Sequence, residues 1–527
     1  MFLNQTRLIL IASVFLVVFC NITFFQNLTE VFPLVGKNLG FLASAVVALT
    51  AVLVLLLNLV RSRYTTKPFL IGLLLVSSCT AYFMDTYNIV IDETMIQNIL
   101  ETNLHESLDL FSLKLVGYFL LLGVIPAVGV LLIRVEYGSK GGELVDRLKA
   151  IAISLAIIGL CILPFSRFYT SFFREHKPLR YFTNPTYSLY SLGRFLTRDQ
   201  GGHVETVQVL GQDARIAAAD KDRELIIFVV GEAGRADHFS LNGYSRQTNP
   251  LLEKEDVVTL SDISSCGTST AVSVPCMFSV YNRQDYNDGK GKNVENVLDV
   301  MQHAGVNVLW RENNSNSKKV AARIPYEEYR NAPKNTLCDD GECRDEGMLV
   351  GLQDYVDSRQ KGDVFIVLHQ MGSHGPAYYK RYPPQFEKYT PTCKTNELEE
   401  CSVEEIGNAY DNTILYTDYF LSKVIALLKD NDKRFETAMF YMSDHGQSLG
   451  ENGIYLHGMP YFIAPRAQKH VASVFWFGER YQVDRQALRQ RAGLPYSHDN
   501  VFHTLLGMLE IDTTVYNRKM DILANGN

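Results

Sequence analysis

Five apolar runs in the first 170 residues constrain the fold of this chain most. They cover about residues 8–25, 40–60, 68–87, 115–133 and 150–168. Each run is close to the ~20 residues that a helix needs to cross the hydrocarbon core of a membrane. A cleavable signal peptide would explain the first run alone, but the four runs behind it favour a bundle. We therefore expect a transmembrane domain of five helices over residues 1–168.

The charges of the connecting segments predict the orientation of this bundle. Two of the connecting segments are basic, and they lie two crossings apart: Arg61, Arg63 and Lys67, then Arg134, Lys140, Arg147 and Lys149. The loops between them carry mainly acids, among them Asp92, Glu93, Glu101, Glu106 and Asp109. Positively charged loops stay in the cytoplasm. The N-terminus is therefore expected inside the cell, and everything after the fifth helix outside it.

The segment 169–220 is rich in aromatic and basic residues, such as Phe172, Phe173, Arg174, Lys177, Arg180, Tyr181, Phe182, Tyr187, Tyr190 and Phe195. Rings and cations of this kind are typical of the headgroup layer beside anionic lipid. A plain linker that only tolerates the interface is the alternative. Both interpretations predict an interfacial linker that keeps the following domain near the membrane.

Residues 221–527 alternate short β-branched runs with helical ones. Candidate buried strands are 225–230, 306–310, 364–368, 438–442 and 471–476, and 408–429 and 500–509 have helical periodicity. This alternation predicts an α/β domain with a mostly parallel central sheet. Ligands of such sheets gather beyond the carboxyl ends of the strands.

Polar residues follow two of these strands at the point where ligands are expected. Glu232 comes two residues after one strand, and Asp444 and His445 follow another, with Gly446 available for a turn. These three side chains and a hydroxyl from Thr268, Ser269 or Thr270 could hold a zinc ion that activates the hydroxyl. Helix caps and solvated surface groups are the alternatives. The residues alone do not choose among the three hydroxyls.

Other polar side chains near strand ends are candidates for binding phosphate or a second zinc. They are His369, His374 and His457, together with Asn314 and Lys318. His374 and His457 have glycine neighbours, which indicates exposed loops where an imidazole can also donate a proton. Ordinary loop histidines and turn residues remain the alternatives.

Six of the nine cysteines lie beyond the apolar runs, as three close pairs: Cys266 with Cys276, Cys338 with Cys343, and Cys393 with Cys401. Three short disulfide loops in an oxidising compartment account for this spacing. Zinc knuckles are the alternative, although no Cys-x-x-Cys occurs. The other three, Cys20, Cys79 and Cys161, lie inside apolar runs.

These motifs resemble those of the phosphoethanolamine–lipid A transferases of Gram-negative bacteria, of the mobilised colistin-resistance type, in the alkaline phosphatase and sulfatase superfamily. The resemblance rests on the five apolar runs and on 173–180, 266–276, 372–376 and 443–457. It implies that Thr270 is the nucleophile and that Glu232, Asp444 and His445 complete the zinc site. It also implies that His374 and His457 act on phosphate or a second zinc.

The same resemblance implies a donor-binding set. Asn314 and Lys318 would contact the phosphoethanolamine group, and Asn98, Thr102 and Glu106, which are spaced by four, would lie on one face of a helix and bind its ammonium. His369, which follows a strand, is a further candidate for substrate binding. Phosphatidylethanolamine is the expected donor and a lipid A phosphate the expected acceptor. We expect one or two zinc ions, contact with membrane lipid, no nucleic acid and a monomer.

The implied location is the inner membrane, with the catalytic domain in the periplasm. The product would carry an added ammonium and repel polymyxins. A lipopolysaccharide core sugar or a periplasmic glucan remains an alternative acceptor. A sulfatase would need a Cys/Ser-x-Pro-x-Arg sequence, which 266–274 lacks. A non-catalytic membrane receptor should have lost a metal ligand, but all four expected positions are filled.

Overall fold

The computed structural model describes residues 2–102, 104–198, 207–217, 220–339 and 341–524, without the side chains of 104–106 and 198. The chain forms two compact units. The helical unit comprises Met1–Ile96 and Phe111–Thr197, and the sheet unit comprises Gln97–Leu110 and Arg198–Asn527. The predicted limits 1–168, 169–220 and 221–527 stay a prediction.

The helical unit contains three continuous helices that are long and apolar enough to cross a membrane: Lys37–Leu59, Thr66–Tyr87 and Leu113–Leu132. The last of these contains a π-helical segment, Phe119–Val124, between two α-helical segments. The first and fifth predicted runs are bent helix pairs, Gln5–Phe19 with Ile22–Val31 (60°) and Lys140–Ile162 with Ser166–Arg174 (92°). The described chain therefore has three candidate spans, or five if each bent pair counts as one.

The bend in the first pair has a local cause. The Asn21 amide donates to the carbonyl of Leu16 at 3.0 Å and to that of Asn184 at 2.6 Å. Asn184 in turn donates to the carbonyls of Cys20 and Ser77. Asparagine side chains that bond to the backbone compete with helical hydrogen bonds, so the helix ends here and restarts at Ile22.

The segment after the fifth run is helical and packs within the helical unit. It contains the helices Ser166–Arg174, Lys177–Phe182 and Thr186–Arg198. Phe172, Tyr181 and Phe182 are buried within the protein. Phe172 packs edge-on against Phe24, with ring centroids 6.3 Å apart. Phe173 and Tyr190 are exposed, so the interfacial role stays a prediction for those two rings.

The sheet unit is built on a seven-stranded sheet, numbered here in chain order: β1 Glu224–Gly231, β2 Val258–Leu260, β3 Asn307–Glu312, β4 Tyr326–Glu328, β5 Val364–His369, β6 Glu436–Ser443 and β7 Ser473–Phe477. The strand order is β2-β7-β6-β1-β5-β3-β4. All pairs are parallel except β6 with β7 and β7 with β2. The mostly parallel sheet is therefore confirmed, with all five predicted strands in it.

Helices and short strands complete this unit. The α-helices in the described part of this unit are Thr270–Met277, Asp288–Lys292, Val297–His303, Leu352–Ser358, Val403–Asn431, Arg485–Arg491 and Val501–Met508, and Leu104–Asp109 belongs to the upstream segment. Short strand pairs join Arg215–Ile216 to Ile511–Asp512, Ile263–Ser264 to Tyr496–Ser497, Cys338–Asp339 to Glu342–Cys343, and Ser448–Leu449 to Tyr455–Leu456. The helix Glu93–Glu101 runs across the division between the units.

Aromatic rings on the sheet fix the helix that carries Thr270. Phe278, directly after that helix, lies 5.6 Å from the ring of Phe228 on β1 and 5.5 Å from that of Trp310 on β3. All three side chains are fully buried. Burial of such large rings contributes strongly to the core, so the helix is held firmly against the carboxyl ends of the strands.

The structure joins the three expected cysteine pairs, Cys266–Cys276, Cys338–Cys343 and Cys393–Cys401, as disulfides. Cys20, Cys79 and Cys161 are free. The Cys266–Cys276 bridge closes the loop that precedes Thr270 onto the helix that follows it. The turn at Thr270 is thus fixed at both ends.

Candidate active site

The carboxyl ends of β1 and β6 bring the predicted metal ligands to one point. Because the two strands are parallel neighbours, Glu232 and the pair Asp444 and His445 leave the sheet side by side. His445 Nε2 lies 3.3 Å from Glu232 Oε1 and 3.4 Å from Asp444 Oδ2. All three side chains are fully buried. Sequence reasoning therefore places these three residues together correctly, and their metal role stays a prediction.

Thr270 is the first residue of the helix Thr270–Met277 and faces this cluster. Its hydroxyl donates to Glu232 Oε2 at 2.9 Å and lies 3.3 Å from His445 Nε2. The neighbouring hydroxyls differ: Thr268 donates to the Met459 carbonyl, and Ser269 Oγ has no partner among the described residues. Geometry thus favours Thr270 over the other two hydroxyls.

The cluster fits a metal ion on its own chemistry. The ligand atoms of Glu232, His445 and His457 lie within 4.8 Å of one another. Glu232 Oε1 and Asp444 Oδ2 are buried without a hydrogen-bond donor in the described part of the chain. Buried carboxylate oxygens without partners are costly unless a cation compensates them. Carboxylate and imidazole donors around a threonine hydroxyl match a zinc site.

The electrostatics of the cluster agree with a cation. Burial alone would lower the pKa of His445, but the carboxylates of Asp444 and Glu232 raise it to about 9. Burial and the Glu232 carboxylate raise the pKa of Asp444 to about 7. Burial would also raise the pKa of Glu232, but His445 lowers it well below its ordinary value. Two carboxylates facing one imidazole leave the site short of positive charge, which a divalent ion would supply.

Hydrogen bonds fix the tautomers of the two central imidazoles. His445 Nδ1 lies 2.8 Å from the carbonyl of Gly446, so Nδ1–H donates there and, in the neutral ring that binds a metal, Nε2 carries the lone pair that faces the cluster. His457 Nδ1 lies 2.9 Å from Gln447 Oε1, which can only accept. His457 Nε2 is therefore an acceptor as well. Burial and the neighbouring His445 hold the pKa of His457 well below its ordinary value.

His374 lies beside this cluster on the loop after β5. Its ring centroid is 5.8 Å from that of His457, whose own centroid is 4.3 Å from that of His445. The loop is fixed to β1, because the Ser373 amide donates to the Glu232 carbonyl at 3.0 Å. His374 Nδ1 is buried without a hydrogen-bond partner in the described residues. The structure thus brings the predicted phosphate-binding histidines together at the candidate metal site.

Asn314 is closer to the metal cluster than the sequence indicates. Its amide donates to Glu232 Oε2 and to the Gln370 carbonyl, both at 2.8 Å, so it orients the Glu232 carboxylate. His369 is fully buried, with Nδ1 2.9 Å from Glu312 Oε2, and its ring packs on Trp310. The predicted substrate contacts of these two residues stay predictions.

Lys318 lines a cavity of about 630 Å³ beside the Thr270 helix. Ala271 and Pro275 of that helix, Lys319, and Gln97 and Glu101 of the upstream segment also line it. Lys318 Nζ lies 3.7 Å from Glu101 Oε2. The cavity is large enough for a phospholipid headgroup and contains positive charge next to the candidate nucleophile.

The predicted single helix through Asn98, Thr102 and Glu106 is wrong. One helix ends at Glu101 and the next begins at Leu104. Thr102 donates both its amide and its hydroxyl to the Asn98 carbonyl, and such side-chain bonding competes with the helix. Asn98 and Thr102 still lie one turn apart. The side chain of Glu106 lies outside the described residues, and the substrate contacts of all three stay predictions.

Three supporting residues were not predicted. Gln447 fixes His457, and His498 joins the Cys266 amide to the Ser443 carbonyl at 3.1 and 3.0 Å. Arg381 donates to the His374 carbonyl at 2.8 Å. Gln447 follows His445 closely enough to be suspected from the motif. His498 and Arg381 carry no sequence signal, because they reach the site only through the fold.

The role expected for Gly446 needs correction. Its φ is not positive, so the backbone turn does not require glycine there. A Cβ at this position would lie 2.0 Å from the Ala467 carbonyl oxygen. Close approach of another backbone segment is therefore what requires glycine.

The mostly parallel sheet, with a hydroxyl and candidate metal ligands beyond its carboxyl edge, defines a sulfatase-type catalytic domain. The family model described as Sulfatase matches residues 224–511, and the one described as Phosphoethanolamine transferase EptA/EptB matches 49–200. The chain belongs to the phosphoethanolamine transferase family of EptA and Mcr proteins, in the sulfatase and alkaline phosphatase superfamily. It is an integral membrane enzyme with a periplasmic catalytic domain.

Individual relatives cover nearly the whole chain. Phosphatidylethanolamine transferase Mcr-2 of Escherichia coli is 44% identical over 90% of each chain. Phosphoethanolamine transferase EptA of Escherichia coli K12 is 40% identical over 99% of this chain and 97% of its own. The solved lipooligosaccharide phosphoethanolamine transferase A of Neisseria meningitidis is 36% identical and covers 99% of both chains with a TM-score of 0.96.

Proposed function

We propose that this chain transfers phosphoethanolamine from phosphatidylethanolamine to a phosphate of lipid A through a covalent intermediate on Thr270. The observation that carries the proposal is the Thr270 hydroxyl, which donates to Glu232 and faces His445 at the start of a helix. The name of Mcr-2 gives the donor, and the name of the Neisseria enzyme gives lipooligosaccharide as acceptor. Both names support the same assignment here.

The ligands of the metal would be Glu232, Asp444, His445 and Thr270, with His457 near enough to join them. Zinc bound there would act as a Lewis acid that lowers the pKa of the Thr270 hydroxyl and offsets charge on the phosphoryl oxygens. The same proposal includes a second zinc ion near His374 and His457. Asn314 keeps Glu232 oriented through its 2.8 Å hydrogen bond.

In the first step the Thr270 oxygen bonds to phosphorus while the bond from phosphorus to the diacylglycerol oxygen breaks. The hydrogen bond from Thr270 to Glu232 aligns the hydroxyl and gives its proton an acceptor. His457 has its only ring proton committed to Gln447, so His374 is the better donor to the leaving oxygen. Diacylglycerol leaves as the neutral alcohol, and phosphoethanolamine stays on Thr270.

In the second step an oxygen of the acceptor phosphate attacks the same phosphorus, and the Thr270 oxygen leaves and regains a proton. Amide groups at the start of the Thr270 helix are placed to hold the phosphoryl oxygens. Lys318 in the neighbouring cavity adds positive charge for the donor headgroup. Each transfer adds an ammonium beside a lipid phosphate, so the cell surface attracts polymyxins and other cationic peptides less.

The test is mass spectrometry of lipid A from a polymyxin-sensitive Gram-negative bacterium that expresses the chain. Wild type should add phosphoethanolamine to lipid A and raise the inhibitory polymyxin concentration. Thr270→Ala should abolish both effects while the protein level stays normal, because a methyl group cannot attack phosphorus. Transfer by Thr270→Ala at the wild-type rate would overturn the assigned nucleophile. If phosphoethanolamine is found only on a core sugar or a periplasmic glucan, that molecule and not lipid A is the acceptor.

A further inference from the structure

The segment Gln97–Leu110 belongs to the sheet unit although its sequence lies among the apolar runs. Asp109 anchors it there. Its carboxylate accepts from Lys380 Nζ at 2.6 Å and from the guanidinium of Arg381, and its carbonyl accepts from Asn396 at 2.7 Å. The Asp109 side chain is buried, so this ion pair is shielded from solvent.

Arg381 bonds to three separate parts of the unit at once. Its Nε donates to the His374 carbonyl at 2.8 Å, one terminal nitrogen donates to Glu342 at 2.6 Å, and the other donates to Asp109. The side chain is only 2% exposed. Burial alone would lower the pKa of Arg381, but Glu342 and Asp109 raise it, so it stays charged.

These three contacts converge on the candidate active site. Glu342 lies on the hairpin closed by the Cys338–Cys343 disulfide, whose Cys343 carbonyl accepts from the Asn313 amide at 2.9 Å. His374 belongs to the loop that is fixed to Glu232. One planar guanidinium therefore connects the upstream segment and Glu342 of this hairpin to the loop that carries His374.

We propose that Arg381 is a positioning residue that couples the docking of the segment Gln97–Leu110 to the placement of His374. The proposal rests on the proposed function, in which His374 protonates the leaving oxygen of the donor lipid. Gln97 and Glu101 of this segment line the cavity assigned to the donor headgroup. When Asp109 docks, all three arms of Arg381 are filled and the His374 loop is held in place. When Asp109 is absent, Arg381 has one fewer acceptor to hold its guanidinium in place, so the His374 carbonyl is bound by a group that can shift.

The geometry needs arginine rather than any cation. A guanidinium presents its donors in a rigid planar fork, so moving one acceptor reorients the bonds to the other two. A lysine has one flexible ammonium and cannot donate to three fixed acceptors in these directions. Small displacements of a proton donor from the reacting oxygen can cost about 100-fold in rate. The effect of Asp109 on catalysis would therefore pass through Arg381.

The experiment compares two substrates in the full-length, zinc-loaded enzyme: phosphatidylethanolamine in bilayers and the soluble ester p-nitrophenyl phosphoethanolamine. Arg381→Lys should lower kcat on the soluble ester by about tenfold or more and also raise KM for the lipid. Asp109→Asn should raise KM for the lipid and still lower kcat on the soluble ester by about threefold or more, although the ester has no diacylglycerol to hold. Combining both changes should add little to Arg381→Lys alone, because they act through one contact.

The matched control is Arg330→Lys, which alters another arginine that pairs with a carboxylate, Glu328, at 2.7 Å. Among the described residues, Arg330 has no hydrogen bond or ion pair with the His374 loop. This variant should leave both substrates unaffected. Zinc content and thermal stability are measured for every variant, because a purely structural role would lower the active fraction without changing KM. If Arg381→Lys does not fold, the kcat of Asp109→Asn on the soluble ester tests the coupling by itself.

An unchanged soluble-ester kcat in Asp109→Asn, or fully additive effects in the double variant, would overturn the coupling. The proposed function has a separate readout. If the wild-type enzyme cleaves the soluble ester but does not use phosphatidylethanolamine, the donor assignment fails while the ester kinetics still test Arg381.

Discussion

At the scale of single residues, Gln447 decides which ring nitrogen of His457 faces the candidate metal site. Its Oε1 accepts from His457 Nδ1, and its amide donates to the Tyr378 hydroxyl at 2.6 Å. Both contacts are buried or partly buried, so the amide cannot easily rotate away. Residues that orient a metal-binding histidine affect activity nearly as strongly as the ligands do.

Gln447→Leu should therefore lower the transfer rate by about 10- to 100-fold. Gln447→Glu should keep most of the activity, because a carboxylate still accepts from His457 Nδ1. The measurement is kcat on the soluble ester together with bound zinc for both variants. Equal activity of Gln447→Leu and Gln447→Glu would show that the orientation of His457 does not depend on this contact.

His498 predicts a pH dependence of stability. Its Nδ1 accepts from the Cys266 amide, and its Nε2–H donates to the Ser443 carbonyl, so the neutral ring is the form that fits. Burial lowers the pKa of His498 to about 4. The unfolded chain binds a proton near pH 6.5, which the folded chain takes up only near pH 4. The contribution of the neutral His498 ring to the free energy of unfolding is therefore fully present above pH 6.5, and it is lost as the pH falls toward 4.

His498→Gln should lower the melting temperature most at pH 7.5, and the difference from wild type should shrink at pH 4.5. The change in this difference between the two pH values should reach about 3 kcal/mol at most, from the size of the pKa shift. Thermal unfolding of both proteins in the same detergent across this pH range measures it. A difference that stays constant with pH would mean that the ring does not titrate between these values.

At the scale of elements, the glycine after His445 illustrates how tightly the strand ends pack. Gly446→Ala should destabilise the protein by several kcal/mol and lower zinc binding, because its Cβ would lie 2.0 Å from the Ala467 carbonyl oxygen. Gly407→Ala is the matched control. Gly407 lies in the helix Val403–Asn431 with open space at its Cβ, so alanine should stabilise that helix by up to about 1 kcal/mol.

Thermal unfolding and zinc content of the two alanine variants test this pair. The melting temperature should fall in Gly446→Ala and rise slightly in Gly407→Ala. Gly446 is needed for close approach of the backbone, whereas Gly407 only adds conformational freedom. A Gly446→Ala protein that melts at the wild-type temperature would show that the Ala467 segment can move aside. The backbone at Ala467 would then be mobile and would not require a glycine beside it.

The elements that the sequence predicts well are those with a strong local pattern. The buried strands β1, β5 and β6 are continuous apolar runs, and the candidate ligands Glu232, Asp444 and His445 follow two of them directly. The strands β2 and β4 were missed because each has only three residues. The break after Glu101 was missed because the spacing of four residues between Asn98, Thr102 and Glu106 matches one continuous helix.

Contacts between distant parts of the chain explain the other features that the sequence did not predict. His498 and Arg381 stand in ordinary polar sequence, and only the fold brings them to Cys266 and His374. The burial of Phe172 and Tyr181 also depends on neighbours far away in sequence. A periodic pattern shows which face of an element is apolar, but it does not show which partner covers that face.

At the scale of the whole molecule, the structure changes where the catalytic part can be separated. The strand Arg215–Ile216 pairs with Ile511–Asp512, and Gln208 forms a bridge with Val294. A cut at about residue 215 would remove these contacts. The solved soluble domain of the Neisseria transferase, 43% identical, covers 60% of this chain and 98% of its own, so a fragment of this type folds in a relative. The fragment to test is therefore 207–527.

This fragment should fold and bind zinc, because Glu232, Thr270, Asp444 and His445 are all inside it. Transfer from phosphatidylethanolamine in bilayers should fall by about 100-fold, since losing the membrane anchor lowers the effective concentration of donor at the site. Hydrolysis of the soluble ester should fall only by the few-fold that Asp109→Asn costs, because the fragment lacks Gln97–Leu110. Rates of full-length and truncated protein on both substrates give the comparison. Equal losses on the two substrates would mean that the helical unit supports the catalytic fold itself, and that the chain does not divide into an anchor and a catalyst.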